Sequence, residues 1–124
     1  MNLFLDYRQK ILDSLKKLGK KRVIKFPQKL KNLTVELPPQ NQNADISCNA
    51  AMILAKINNN SPINLAEVLK KYLLSNFKEF KSIEIAGPGF LNISFHTSFW
   101  KQYLIKAIKL DSKYGFNKTI KKKI

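Results

Sequence analysis

The sequence predicts an α+β domain: a small, largely antiparallel sheet with helices packed on one face. Three observations carry this. Four stretches repeat their apolar residues every three or four positions, as helices do. Three shorter stretches alternate apolar with polar residues, as half-buried strands do. The last two strands are joined by Gly87-Pro88-Gly89, a turn too short for the crossover that a parallel pair needs. Helices and strands do not alternate strictly, so the expected order is α-β-α-α-β-β-α.

Each element has its own signal. Leu3, Tyr7, Ile11, Leu15 and Leu18 mark one face of a helix over residues 2–18. Gly19 ends it, with Lys16 and Lys17 in the last turn, where the helix dipole favours cations. Residues 19–31 are strongly basic and interrupted by Pro27, which fits a loop or a short irregular strand. Leu33, Val35 and Leu37 alternate with Thr34 and Glu36 as a half-buried strand that Pro38-Pro39 ends. After a polar loop at 40–44, Asp45 is placed to cap a helix with Ile46, Ala50, Ile53, Leu54 and Ile57 on one face. Asn58-Asn59-Asn60 breaks that helix. Ser61-Pro62 then starts another, combining a hydroxyl cap with a proline where no N–H is needed. Leu65, Val68, Leu69, Tyr72 and Leu73 form its buried stripe. Ile83 and Ile85 belong to the second strand, and Phe90 to Phe95 form the third. Thr97 or Ser98 caps a last helix carrying Trp100, Tyr103, Leu104, Ala107 and Ile108.

Composition narrows the function. The chain has 124 residues, the size of one ordinary domain, and 44% hydrophobic residues exclude a disordered chain. Cys48 is the only cysteine and His96 the only histidine, so neither a disulfide framework nor a structural zinc site is available. No apolar run approaches the ~20 residues that span a bilayer. The N-terminal residues carry charge by Asp6 and have no signal-peptide core, which fits a cytoplasmic protein. The formal net charge is +15, which favours a polyanionic partner, nucleic acid before a membrane surface. Only two of the 23 basic residues, Arg8 and Arg22, are arginines, and asparagine and isoleucine are abundant. Part of the basic excess therefore reflects codon bias. The segment Lys20, Lys21, Arg22 and Lys25 is the candidate phosphate contact.

No catalytic constellation emerges. His96 has no carboxylate neighbour in sequence and reads as a surface residue at a strand end. Cys48 reads as a small buried core residue. The eight carboxylates show no spacing for metal binding or acid–base work. The strand after the turn is more informative. Period two places Leu91, Ile93 and Phe95 on the core face, and Phe90, Asn92, Ser94 and His96 on the solvent face. A ring two residues before a carboxamide can stack on an unpaired base and hydrogen-bond its edge. The alternative is that Phe90 tucks under a helix and Asn92 caps a turn.

Two blocks resemble a known family. Asp45-Ile46-Ser47-Cys48-Asn49-Ala50-Ala51-Met52, followed by Leu54-Ala55-Lys56 and Pro62…Ala66-Glu67, is similar to a segment of the N-terminal domain of arginyl-tRNA synthetases. Ile85-Ala86-Gly87-Pro88-Gly89-Phe90-Leu91-Asn92-Ile93 resembles that domain's most recognisable stretch. Ala44 stands where the family usually has glycine, and Ile46 where it has an aromatic residue. The resemblance implies a tRNA-recognition domain over 1–115 and a basic linker over 116–124 toward a covalently linked catalytic domain. That second domain would carry the His-Ile-Gly-His and Lys-Met-Ser-Lys signatures, ATP and arginine, so this chain alone would need no cofactor and be inactive. The parent would be an arginine–tRNA ligase.

The implied partner is tRNA(Arg), with neither DNA nor a membrane. The implied contact is the outer corner of the tRNA, including the unpaired D-loop base at tRNA position twenty. The eukaryotic reading motif, similar to Asn-x-x-Phe-x-Gln, falls on Gly87, Phe90 and Asn92. Phe90 matches, Asn92 is a shorter amide, and Gly87 has no side chain to offer. A backbone contact at Gly87, or a preference for adenine, fits those changes. The alternative function is a stand-alone basic RNA-binding or ribosome-associated module without an enzymatic role.

Overall fold

The computed structural model describes residues 2–40 and 42–114. The chain divides into two compact units, residues 2–95 and the segment from His96 onward. The first unit contains helices α1 (Leu3–Lys20), α2 (Ala50–Leu54) and α3 (Pro62–Asn76). Its strands are β1 (Val35–Glu36), β2 (Ile46–Cys48), β3 (Phe80–Ala86) and β4 (Phe90–Phe95). All neighbouring strands pair antiparallel, in the spatial order β1-β2-β4-β3. The second unit contains α4 (Thr97–Tyr114). The α+β class and element order stand, with one strand added.

The added strand corrects the reading of Asp45. Ile46, Ser47 and Cys48 pair with Ile93, Asn92 and Leu91, and the helix begins only at Ala50. The Asp45 carboxylate accepts a hydrogen bond from the Phe95 backbone N–H at 2.7 Å, so it ties β2 to β4 rather than capping a helix. Asn49 holds the capping position of α2, but its amide is used elsewhere. Its Oδ1 accepts from Thr34 N at 2.8 Å and its Nδ2 donates to Asn32 O at 2.9 Å.

Other elements follow their local chemistry. Asn2 caps α1 by accepting from Phe4 N and Leu5 N. Tyr7, Ile11, Leu15 and Leu18 are buried along α1. The helix runs through Gly19 to Lys20, because Gly19 lies against Phe26; a Cβ there would sit 2.7 Å from the Phe26 Cβ. Ser61 caps α3 by accepting from Asn64 N at 3.1 Å. Leu65, Leu69 and Leu73 are buried on α3, whereas Val68 faces outward. Leu37 is 75% exposed rather than inward, since β1 ends at Glu36 and the following prolines lead the chain off the sheet.

The core lies between α1–α3 and one sheet face, which carries Val35, Ile46, Cys48, Ile83, Leu91 and Ile93. Tyr7, Phe77, Phe80 and Phe95 close one end of it as a ring cluster with centroids 4.6–6.3 Å apart. The Tyr7 hydroxyl donates to Glu79 Oε2 at 2.6 Å, so the one polar atom of that cluster is paired.

In the second unit, His96 is exposed, as expected of a surface residue. Thr97 is the first helical residue of α4, and the His96 carbonyl accepts from Phe99 N. Phe99, Trp100 and Tyr103 cluster along α4, while Leu104 and Ile108 are exposed. The proposed linker at 116–124 lies outside the described residues.

Candidate nucleic-acid interface

Leu91 and Ile93 are buried at the sheet's core face, as strand parity predicts. Parity also puts Asn92 on the opposite face, in a cross-strand row with Ser47 of β2 and Glu84 of β3, while Glu36 of β1 faces Ser47. That face is not open at Asn92. The segment between β1 and β2 folds back over it, so Asn92 is 3% exposed and Phe90 36%. The expectation of two solvent-facing residues is thus corrected for Asn92, which forms the floor of a groove. Phe90 forms the rim.

The groove has a volume of about 370 Å³. Thr34, Glu36 and Ser47 line it from the first two strands, and Leu37, Pro39 and Gln42 from the segment over the sheet. Ala86, Gly87, Pro88, Phe90 and Asn92 line it from the hairpin. The hairpin turn depends on its glycines. Gly87 has φ +54° and Gly89 φ +136°, and a Cβ on Gly89 would lie 2.9 Å from the Pro62 Cβ. The turn therefore seats against the start of α3 and carries Phe90 at its foot.

The chemistry of the floor is specific. Asn92 Nδ2 donates to Gln42 Oε1 at 3.1 Å. Asn92 Oδ1 is the one buried side-chain polar atom without a hydrogen-bond partner among the described residues. A desolvated acceptor left unpaired costs about 1–3 kcal/mol, so such atoms in native structures ask for an explanation. No lysine or arginine lines the groove, and Glu36 does. The site suits a flat, uncharged group with a hydrogen-bond donor on its edge, not a phosphate.

The basic segment lies apart from this groove. Lys20, Lys21, Arg22 and Lys25 are all exposed, and none lines the groove that holds Phe90. Arg22, Lys25, Phe26 and Asn58 border a separate shallow hollow. Asn58 fixes the backbone there: its Oδ1 accepts from Lys25 N at 2.7 Å and its Nδ2 donates to Lys25 O at 3.1 Å. Arg22 adopts φ +61°, which turns the chain sharply after α1. The loop is thus held in place by its backbone while its cationic side chains stay in water.

Cys48 offers no reactivity. Burial pushes its thiol up to about 12, with the Ala50 backbone hydrogen bond offsetting part of the rise. Among the described residues, no three His, Cys, Asp or Glu side chains gather as a metal site, and no helix is long and apolar enough to cross a membrane.

Comparison with known proteins gives the family. Residues 5–95 match the family model described as arginyl tRNA synthetase N terminal domain. The chain belongs to this family. Its similar proteins include arginine–tRNA ligases from Pelagibacter ubique (strain HTCC1062), 41% identical over 123 residues, and Ruegeria sp. (strain TM1040), 38% identical over 115 residues. These alignments cover 98% and 93% of this chain but only 21% and 20% of the two ligases. The chain therefore spans about a fifth of their length. The fold also matches a Thermus thermophilus arginyl-tRNA synthetase structure, with a TM-score of 0.58 and 22% identity over 79% of this chain and 15% of the other.

Within this synthetase N-terminal domain, the hairpin brings Gly87, Phe90 and Asn92 together at one groove. Reading the residues did not find Gln42, which reaches Asn92 across fifty positions of sequence. Its only sequence signal is a polar residue in a loop, which does not say what that loop covers.

Proposed function

We propose that this chain is the tRNA-reading domain of an arginine–tRNA ligase, and that the groove over Asn92 takes the unpaired D-loop base of tRNA(Arg). The Phe90 ring stacks on the base, and Asn92 Oδ1 accepts a hydrogen bond from its edge. Gly87 keeps the turn in its left-handed conformation and leaves backbone groups open to the base. Lys20, Lys21, Arg22 and Lys25 contact phosphates of the same tRNA. ATP and arginine are handled by a covalently linked catalytic domain, which attaches arginine to tRNA(Arg) using ATP in the cytoplasm. The observation that carries the reading is the buried, unpartnered Asn92 Oδ1 in a groove without cations, rimmed by a partly exposed ring. Such a groove discriminates a base from the backbone around it, whereas lysines alone would not.

The test is competition at near-physiological salt. The chain should prefer a tRNA(Arg) transcript over duplex RNA of equal length, because a duplex hides its bases and presents only phosphates and sugars. Equal affinity for both would reduce the chain to a general basic RNA binder.

A further inference from the structure

The Asn92 amide has two ends of nearly the same shape and opposite hydrogen-bonding character. Strand geometry fixes where the amide lies, but not which end faces the groove. Gln42 decides that. Its backbone N–H donates to Pro39 O at 2.9 Å, closing a turn in the segment over the sheet. Its side-chain Oε1 then accepts from Asn92 Nδ2 at 3.1 Å. With the NH2 end engaged, the end left without a partner is the carbonyl oxygen.

We propose that Gln42 is a positioning residue of the base site, turning the Asn92 amide so that an acceptor, not a donor, faces the groove. The inference rests on the reading of the groove as a base site. It has a direct consequence for selectivity. Adenine and guanine differ in their exocyclic group at the same ring position, an amine in one and a carbonyl in the other. Cytosine and uracil differ in the same way. A groove presenting an acceptor favours the amino member of each pair. A groove presenting a donor favours the keto member.

The experiment exchanges the chemistry of Gln42 and reads the ratio, not the absolute affinity. Binding of the chain is measured to four tRNA(Arg) transcripts carrying A, G, C or U at the D-loop position. Wild type should favour A over G and C over U by about three- to tenfold, the worth of one neutral hydrogen bond. Gln42→Glu can only accept, so it should keep both ratios even if its charge weakens every complex. Gln42→Lys can only donate, so it should turn the Asn92 amide over and invert both ratios. A purely structural role for Gln42 would shift all four affinities together and leave the ratios alone. Phe90→Ala is the control for the base site itself. If Phe90→Ala weakens binding while Gln42→Lys leaves the ratios unchanged, the role of Gln42 is refuted and the base site stands. If Phe90→Ala has no effect and the four bases bind alike, the base site falls and this inference with it.

Discussion

Replacing Asn92 with valine should make the chain more stable and a poorer reader of RNA. Asn92 is almost wholly buried, its Oδ1 has no partner, and its Nδ2 makes one hydrogen bond to Gln42. The unpaired acceptor costs about 1–3 kcal/mol, while the bond to Gln42 returns about 0.5–1.5 kcal/mol. Valine removes both, and its branched side chain suits a strand. Gln42 is only partly buried, so its freed oxygen can turn to water. The balance is a gain of about 1 kcal/mol. In urea, with a denaturant slope of about 1–3 kcal/mol/M, the midpoint should rise by roughly 0.3–1 M. Binding of tRNA(Arg) should weaken about three- to tenfold through the lost edge contact. A midpoint that falls by a similar amount would refute the reasoning. It would mean that the amide clamps the segment between β1 and β2, and that its unpaired oxygen is not held for a ligand.

Leu91→Ala should behave oppositely to Asn92→Val, destabilising by about 2–5 kcal/mol through a cavity, as read by the same urea titration. Cys48 gives a pH dependence. Its thiol is raised in the folded chain to about 12 from 9.0, so the folded state favours the protonated form. That contribution is fully present below pH 9 and is lost as pH rises toward 12, by about 1.4 kcal/mol per pH unit. The stability difference between wild type and Cys48→Ala should show this slope above pH 9 and none below it. Replacing Lys20 and Lys21 with glutamine should weaken all RNAs about equally and lower the slope of log affinity against log salt by about one to two units. An unchanged slope would make these residues a solvated surface only.

Much of the fold is legible because local chemistry and tertiary packing agree. The Ser61-Pro62 start of α3, the apolar stripe of α1 and the limits of β4 all follow from neighbouring residues. The strand β2 is not legible. Its three residues are buried on both faces and show no alternation, so nothing local separates them from the first turn of a helix. Pairing with β1 and β4 decides the matter, and those partners are distant in sequence. The site divides in the same way. Strand parity gives the face of Phe90 and Asn92, because period two is local. It does not give the cover over that face, since the segment that includes Gln42 folds back across fifty residues. Hence Asn92 reads as exposed from its strand alone and is buried in the fold.

The central claim is that the Phe90 ring and the D-loop base touch each other. Binding affinities of wild-type and Phe90→Ala chains for tRNA(Arg), with the base present or removed at tRNA position twenty, test it most directly. The account predicts coupling. Phe90→Ala should weaken binding of the intact tRNA about five- to hundredfold, the worth of roughly 1–3 kcal/mol of stacking. It should change binding of the abasic tRNA less than about twofold, because the partner of the ring is already gone. Equal losses on both tRNAs would contradict the account and remove this groove as the recognition element.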